Sequence, residues 1–209
     1  MIPRFPVYLF DVDGTLVDSA PDICAAVQSV LHSRGRFDVE TSFLQTYIGK
    51  HLDETWRDLG FPESEWAPML LDYRQTYAAR GHKLTQPYAG VLKGLAGLTG
   101  VRKGTATTKG TPTTRIVLEM FGMLPHFDHV QGTDGFPAKP EPDVIFKSLE
   151  VFGAKPQDVL MVGDAESDMA AGRAAGVKIC AVRYGYGAVE KLAKWEPDYW
   201  IDDLRELTG

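Results

Sequence analysis

The stretch FPVYLFDVDGTLVDS, residues 5–19, decides which fold the chain is expected to adopt. Residues 5–10 are mostly apolar, and the polar loop DVDGT follows them directly. A short apolar run that ends at a polar loop predicts a buried strand. Asp11 and Asp13 lie two residues apart, and Gly14 allows a tight turn that would bring both carboxylates into one crevice. Because a D-x-D-G-T string arises by chance in roughly one chain of this length in several hundred, it favours a functional site.

The residues after this loop have the pattern of helices. Asp18 or Ser19 is expected to cap a helix that begins near Pro21 and has one apolar face. Residues 36–85 lack the alternation typical of a strand, and their apolar side chains recur at helical spacing between glycines such as Gly49 and Gly81. We therefore expect a small, all-helical unit inserted into the chain.

The part of the chain after Pro87 alternates strands with helices. Strands are predicted near residues 103–107, 129–131, 158–162, 178–182 and 199–201, with helical segments between most of them. This alternation is typical of a parallel sheet covered on both faces by helices. Ligands of such sheets bind beyond the carboxyl ends of the strands, so polar residues at those ends are candidates for a site.

Several further polar residues stand near the predicted strand ends. Asp164 follows the strand at 158–162, and Asp168 lies about one helical turn further on. A second carboxylate beside Asp11 would form a Mg²⁺ site. Thr107 has a hydroxyl that could donate to a phosphate oxygen, and Lys139 lies among prolines that would fix its backbone.

The composition limits the classes of function. The 209 residues suit one domain with a small insertion, at roughly 150 residues per domain. The net charge of −6 argues against nucleic acid or an anionic membrane as the partner. Two cysteines are too few for a disulfide framework, and no apolar run approaches the length of a membrane span, so we expect a cytoplasmic protein.

The order of these motifs resembles that of the haloacid dehalogenase-like hydrolase superfamily. DVDGTLVDS, AKPEPD and VGDAESDMAAGRAAGV are similar to its phosphoglycolate phosphatase-type branch, and the resemblance extends from about Val7 to Tyr186. It implies an α/β fold: a Rossmann-like parallel sheet with helices on both faces and a small helical cap inserted after the first strand. Residues 1–17 and 86–209 would form the core domain, and residues 18–85 the cap domain.

The resemblance also implies a role for each motif residue. Asp11 would attack phosphorus and form an aspartyl-phosphate, and Asp13 would act as general acid and base. Mg²⁺ would be held by Asp11, the Asp13 carbonyl and Asp164, with Asp168 orienting Lys139 or a water on the metal. Lys139 and the metal would offset the repulsion between carboxylate and phosphate. The groups expected to bind phosphoryl oxygens belong to Gly14, Thr15, Thr107 and Thr108.

Two positions depart from the family pattern. Thr108 stands where the family often has Asn, and Glu141 stands where close relatives often have His. The segment Tyr47–His51 resembles the part of the cap that faces the active site in this branch. Lys50 or His51 is therefore a candidate for binding a substrate carboxylate or a second phosphate.

The expected function is Mg²⁺-dependent hydrolysis of a small, phosphoglycolate-like phosphorylated metabolite by a monomer or homodimer. A phosphosugar mutase resembling beta-phosphoglucomutase and a pyrophosphatase of the same fold stay open, although Thr15 favours a phosphatase over the mutase. A dehalogenase is disfavoured because its site needs neither Asp13 nor a metal. The non-enzymatic alternatives are a phospho-acceptor module, which would be shorter, and a silent scaffold, which would be expected to lack Asp11, Asp13, Lys139 or Asp164.

Overall fold

The computed structural model describes residues 2–208. Seven strands lie in this part of the chain, in the order β1 (Val7–Phe10), β2 (Val17–Asp18), β3 (Gln86–Pro87), β4 (Arg102–Thr105), β5 (Val159–Gly163), β6 (Lys178–Val182) and β7 (Tyr199–Ile201). The α-helices are α1 (Ala20–Ser33), α2 (Thr41–Gln45), α3 (Leu52–Asp58), α4 (Glu63–Arg80), α5 (Val91–Gly97), α6 (Thr111–Met120), α7 (Asp143–Phe152), α8 (Glu166–Ala175) and α9 (Val189–Ala193).

Five strands form one parallel sheet in the order β4-β1-β5-β6-β7, which confirms the predicted fold class. Phe10 at the end of β1 aligns with Thr105 of β4 on one side and Val162 of β5 on the other. This register brings the residues that follow β1, β4 and β5 to the same edge of the sheet. The predicted strand at 129–131 is wrong: only a single bridge, between Gly104 and His129, forms there.

The two faces of the sheet have separate apolar cores. In β1, the side chains of Tyr8 and Phe10 pack in one core and those of Val7 and Leu9 in the other, as the two-residue repeat of a strand requires. The first core also contains side chains of α5 and α6, and the second contains side chains of α7, α8 and α9. All four residues of β1 are buried, because helices cover the sheet on both sides.

Helices α1 to α4 pack around a third apolar core, which includes Val27, Trp56 and Met69. Within residues 19–85, all of which the structure describes, the regular secondary structure is helical. The short strands β2 and β3 pair antiparallel at the two ends of this segment, with Val17 opposite Pro87. The helical segment therefore begins and ends at the same place in the fold.

A buried carboxylate ties the two ends of the helical segment together. Asp22 in α1 accepts hydrogen bonds from the backbone amides of Leu84 and Thr85, each at 2.8 Å, and from Arg80 at 3.0 Å. Although burial opposes its charge, these donors hold the pKa of Asp22 below its usual value. Among residues 2–208, no helix has both the length and the apolar character needed to cross a bilayer.

Candidate active site

Asp11 lies directly after β1, an interior strand of the sheet. Its backbone amide donates to the carbonyl of Val162 in β5 at 2.9 Å, which extends the strand ladder by one residue. Its side chain is only 2% exposed. The ammonium group of Lys139 lies 3.0 Å from Oδ1, and that oxygen has no hydrogen bond of acceptable geometry within residues 2–208. The carboxylate is therefore held by charge and keeps an oxygen available to another ligand.

Asp164 and Asp168 complete a buried acidic cluster with Asp11. One carboxylate oxygen from each of the three side chains lies within 4.8 Å of the others. Asp164 accepts from the hydroxyl of Thr15 at 3.1 Å and from the backbone amide of Tyr186 at 2.8 Å. Asp168 accepts from the backbone amide of Ala165 at 2.9 Å. Asp164 is thus oriented by the loops after β1 and β6, and Asp168 by the residue that precedes α8.

The charges of this cluster are strongly perturbed. Burial and the neighbouring carboxylates of Asp168 and Asp13 raise the pKa of Asp11 to about 6, although Lys139 acts in the opposite direction. Burial, followed by the charges of Asp168 and Asp11, raises the pKa of Asp164 well above its usual value. Both carboxyl groups are therefore harder to ionise in the folded protein than in water, because they are buried beside other carboxylates.

Two glycines allow the carboxylates to approach the backbone. A Cβ on Gly14 would lie 2.2 Å from an Asp164 oxygen, and its φ of +89° is one that other residues rarely adopt. A Cβ on Gly163 would lie 2.3 Å from an Asp168 oxygen. The glycines in D-x-D-G-T and in the later G-D motif are therefore required by the packing of the acidic cluster.

Lys139 joins this cluster from the loop before α7. Its ammonium group forms ion pairs with Asp11 and with Asp168, and its side chain is 1% exposed. Burial opposes its charge, but these two carboxylates raise the pKa of Lys139. It is therefore a cation within the acidic cluster.

Asp13 is the second carboxylate of the D-x-D pair and faces different neighbours. The hydroxyl of Ser19 donates to its Oδ1 at 2.5 Å, and the ammonium group of Lys109 lies 3.1 Å from its Oδ2. Ser19 is the N-cap residue of α1, as predicted, but its side chain makes no capping hydrogen bond. The phenol oxygen of Tyr186 instead accepts from the backbone amides of Ser19 and Ala20, at 2.8 and 2.9 Å.

Lys109 was not predicted from the sequence. It follows Thr107 by two residues and has a side chain only 7% exposed. Its ammonium group donates to the hydroxyl of Tyr77 at 3.1 Å and lies 4.5 Å from the centre of that ring. The sequence does contain a signal for Lys109, because it lies at the end of a predicted strand beside other site residues. The threonines before it, however, are equally typical of a polar strand end without a function.

The expected phosphate-binding residues have different surroundings. Thr107 is buried, and its hydroxyl oxygen accepts from the amide of Lys109 at 3.3 Å, so its hydrogen is oriented elsewhere. Thr108 is half-buried in the same turn. The amides of Gly14 and Thr15 donate to carbonyls within the loop, at 2.9 and 3.3 Å. The hydroxyl of Thr15 also donates to Asp164, so both residues make contacts that shape the loop, and their role in binding phosphate stays a prediction.

Lys50 is exposed, and its ammonium group lies 4.8 Å from the centre of the Tyr47 ring. The neighbouring carbonyl of Gly49 accepts from the hydroxyl of Ser167 at 3.1 Å. The segment Tyr47–His51 therefore contacts the start of α8 beside the acidic cluster, while the ammonium group of Lys50 packs on the Tyr47 ring. Its role in binding substrate stays a prediction.

The donor set fits a hard divalent cation. Four carboxylates (Asp11, Asp13, Asp164 and Asp168) face two ammonium groups (Lys109 and Lys139) in a buried site. When all six groups are ionised, two negative charges are in excess. Carboxylate oxygens are the ligands that Mg²⁺ prefers, and the oxygen of Asp11 without a hydrogen bond is available to one. The residues present thus suit the metal that the motifs implied.

The chain is similar in sequence to several known proteins. The family model of haloacid dehalogenase-like hydrolases matches residues 8–182. A phosphoglycolate phosphatase from Pseudomonas aeruginosa is 34% identical over 99% of this chain and 79% of its own length. A tyrosine-protein kinase, PtkA, from Mycobacterium tuberculosis is 33% identical over 96% of this chain and 72% of its own length.

A solved structure shares the fold along almost its whole length. A haloacid dehalogenase-like family hydrolase from Streptococcus pneumoniae superposes with a TM-score of 0.90 at 25% identity, covering 97% of this chain and 96% of that one. The chain belongs to the haloacid dehalogenase-like hydrolase family. Within it, the chain falls in the phosphoglycolate phosphatase branch and is by class a phosphatase, as the motifs predicted.

Proposed function

We propose that the protein is a Mg²⁺-dependent phosphatase that hydrolyses a small, phosphoglycolate-like phosphorylated metabolite through an aspartyl-phosphate on Asp11. The observation that carries the proposal is the position of Asp11. It is a buried carboxylate after an interior strand, 3.0 Å from Lys139, and one of its oxygens lies within 4.8 Å of oxygens of Asp164 and Asp168. The names of the relatives favour this substrate class.

Asp11 supplies the nucleophile. An oxygen of its carboxylate forms a bond to phosphorus, and the bond from phosphorus to the leaving oxygen breaks, which divides the hydrolysis into two displacements. Because attacking carboxylate and phosphate are both anionic, Lys139 lowers the barrier by placing a positive charge beside the reacting oxygens. Thr107 presents its hydroxyl hydrogen to a phosphoryl oxygen at the same strand edge.

Asp13 transfers a proton in both displacements. It donates a proton to the leaving oxygen in the first and takes one from the attacking water in the second, as a general acid and then a base. Ser19 and Lys109 hold its two oxygens in place at 2.5 and 3.1 Å. A carboxyl group so held does not have to be reoriented during the reaction.

Mg²⁺ would be held by Asp11, the backbone carbonyl of Asp13 and Asp164. When bound, it would neutralise the excess charge of the cluster and stabilise the charge that develops on the transferred phosphoryl group. Asp168 keeps Lys139 in position through their ion pair. Thr15 and Tyr186 keep Asp164 turned towards the cluster.

We also assign residues 1–17 and 86–209 to a core domain and residues 18–85 to a cap. The pairing of β2 with β3 at the segment's two ends and its separate apolar core support this division. Asp11, Asp164 and Asp168 are at most 2% exposed, and Gly49 of the helical segment contacts Ser167 beside them. We therefore propose that this segment moves aside to admit a substrate. A monomer or homodimer in the cytoplasm is the setting we propose.

Phosphate release from a panel of esters tests the proposal. The panel contains phosphoglycolate, a sugar phosphate and pyrophosphate, assayed with Mg²⁺ and with a chelator. We expect turnover that needs the metal, is abolished in Asp11→Asn and persists in Asp38→Asn, which changes an exposed carboxylate in the helical segment. Phosphoryl migration on a sugar without phosphate release would instead favour the mutase, and preference for pyrophosphate would favour the pyrophosphatase.

The covalent step has its own test. Asp13→Asn mixed with an aryl phosphate, whose leaving oxygen needs no proton, should form the aspartyl-phosphate and fail to hydrolyse it. One phosphoryl group should then accumulate on the peptide that contains Asp11, measured by mass spectrometry after acid quench. Full turnover in Asp11→Asn, in a preparation free of deamidation, would contradict the proposal.

A further inference from the structure

The ammonium group of Lys109 is a buried positive charge, and the proposed mechanism uses it only to hold Asp13. Within residues 2–208, its ion pair is with Asp13, at 3.1 Å, and its other polar contact is the neutral hydroxyl of Tyr77. Burial opposes the charge, but Asp13 and the tyrosines Tyr77 and Tyr73 raise the pKa of Lys109. Lys109 is therefore protonated although its side chain is almost fully shielded from solvent.

In the part of the chain that the structure describes, the ammonium group of Lys109 also has a hydrogen without an acceptor. It carries three hydrogens, and Asp13 and Tyr77 account for two of them. A buried donor without an acceptor is unfavourable. A substrate that brings an anionic group to this place supplies the third acceptor and a second counter-charge.

The distances define how far that group lies from the reacting phosphate. A leaving oxygen that receives a proton from Asp13 lies about 3 Å from it, and the ammonium group of Lys109 lies 3.1 Å beyond Oδ2. The leaving oxygen is therefore within roughly 6 Å of the ammonium group. A carboxylate one carbon away from the leaving oxygen spans this gap with one hydrogen bond.

We infer that Lys109 and the hydroxyl of Tyr77 form a subsite that binds a carboxylate on the leaving group, adjacent to the ester oxygen. The inference rests on the proposed phosphatase activity and specifies its substrate class as phosphorylated short hydroxy acids. Lys109 follows β4 and Tyr77 lies in α4, so the subsite is complete only where sheet and helical segment meet. Tyr73 stacks on Tyr77, with ring centres 5.6 Å apart, and supports it.

Three esters that differ only at the relevant group test the inference. Phosphoglycolate carries a carboxylate, ethyl phosphate a methyl group and phosphoethanolamine an ammonium group on otherwise similar leaving groups. We expect Lys109→Met to lower the ratio of kcat/KM for phosphoglycolate over ethyl phosphate by about 10- to 100-fold, the range of a charge-assisted hydrogen bond. The ratio for phosphoethanolamine over ethyl phosphate should rise, because a repulsive charge is removed.

Matched variants separate binding from a purely structural role. Lys109→Arg should restore part of the ratio, and Tyr77→Phe should lower it less than Lys109→Met. Lys147→Met, which changes an exposed lysine that also packs on an aromatic ring, is the control. Calorimetric binding of phosphoglycolate and ethyl phosphate to Asp11→Asn, with and without Lys109→Met, measures the same discrimination in the absence of turnover and in whichever variants fold.

The outcomes distinguish this inference from the proposed function. Equal losses for all three esters in Lys109→Met would mean that the lysine only positions Asp13, and would overturn the subsite. A larger loss of the ratio in Lys50→Met than in Lys109→Met would place the subsite at Lys50 instead. In either case, Mg²⁺-dependent hydrolysis by the wild-type protein would still support the phosphatase. A wild-type protein that hydrolyses no ester would overturn both.

Discussion

Replacing Asp11 by Asn removes one charge from the buried acidic cluster, and we expect this change to stabilise the protein when no metal is bound. The pKa of Asp11 is raised from 3.8 to about 6, chiefly by burial. A raised pKa means that the folded state holds a proton that the unfolded state has already released between about pH 4 and 6. The stability contributed by this group is therefore complete below pH 4 and is lost as the pH rises through 6.

The size of the effect follows from the same shift. Two pKa units correspond to about 3 kcal/mol in the free energy of unfolding. For a chain of this length, that is about 6 to 12 °C in Tm. The amide has the shape of the protonated acid and never ionises, so Asp11→Asn should gain this amount over wild type at pH 7. At pH 4 the two proteins should have nearly the same Tm.

Calorimetry or circular dichroism of chelator-treated protein from pH 4 to 8 measures this difference directly. Added Mg²⁺ should reverse the order at pH 7, because the wild-type cluster binds the cation more tightly than the amide variant does and binding to the folded state raises Tm. A variant less stable than wild type without metal at pH 7, or a difference in Tm that stays constant down to pH 4, would refute the reasoning.

Three further substitutions test other contacts of the site. Thr15→Val removes the hydroxyl that orients Asp164 and should weaken Mg²⁺ binding, measured by calorimetry, by about 10- to 100-fold; unchanged affinity would contradict this. Tyr186→Phe removes the phenol oxygen that accepts two amides at the start of α1, and should lower the free energy of urea unfolding by about 1 to 3 kcal/mol; an unchanged urea midpoint would exclude the contact. Lys139→Met leaves two carboxylates without their cation and should destabilise metal-free protein by about 3 to 5 kcal/mol, whereas greater stability than wild type would show that the ion pairs do not offset their burial.

The residues predicted best from the sequence lie directly after strands. Asp11 and Asp164 follow apolar runs that had to be buried strands, and parallel strands bring their carboxyl ends to one edge. Their proximity therefore follows from the alternation of strands and helices alone. The helical segment was predictable for a similar reason, because its apolar spacing excludes strands.

The residues that sequence reasoning missed act through long-range contacts. Tyr186 lies in a turn after β6, yet its hydroxyl caps α1 and takes over the function expected of Ser19. Lys109 reaches Asp13 and Tyr77, which are 96 and 32 positions away in the sequence. No local pattern records such pairs, because a side chain's partner is set by how the helical segment packs on the sheet.

The contacts of Asp13 link the chemistry to the position of the helices. One of its oxygens is held by Ser19, which directly precedes α1, and the other by Lys109, which also binds Tyr77 of α4. If α4 moves away from the sheet, Lys109 loses Tyr77, and Asp13 loses a partner that is fixed in place. In the proposed reaction, in which Asp13 transfers the proton, we therefore expect efficient proton transfer only while these helices keep their position on the sheet.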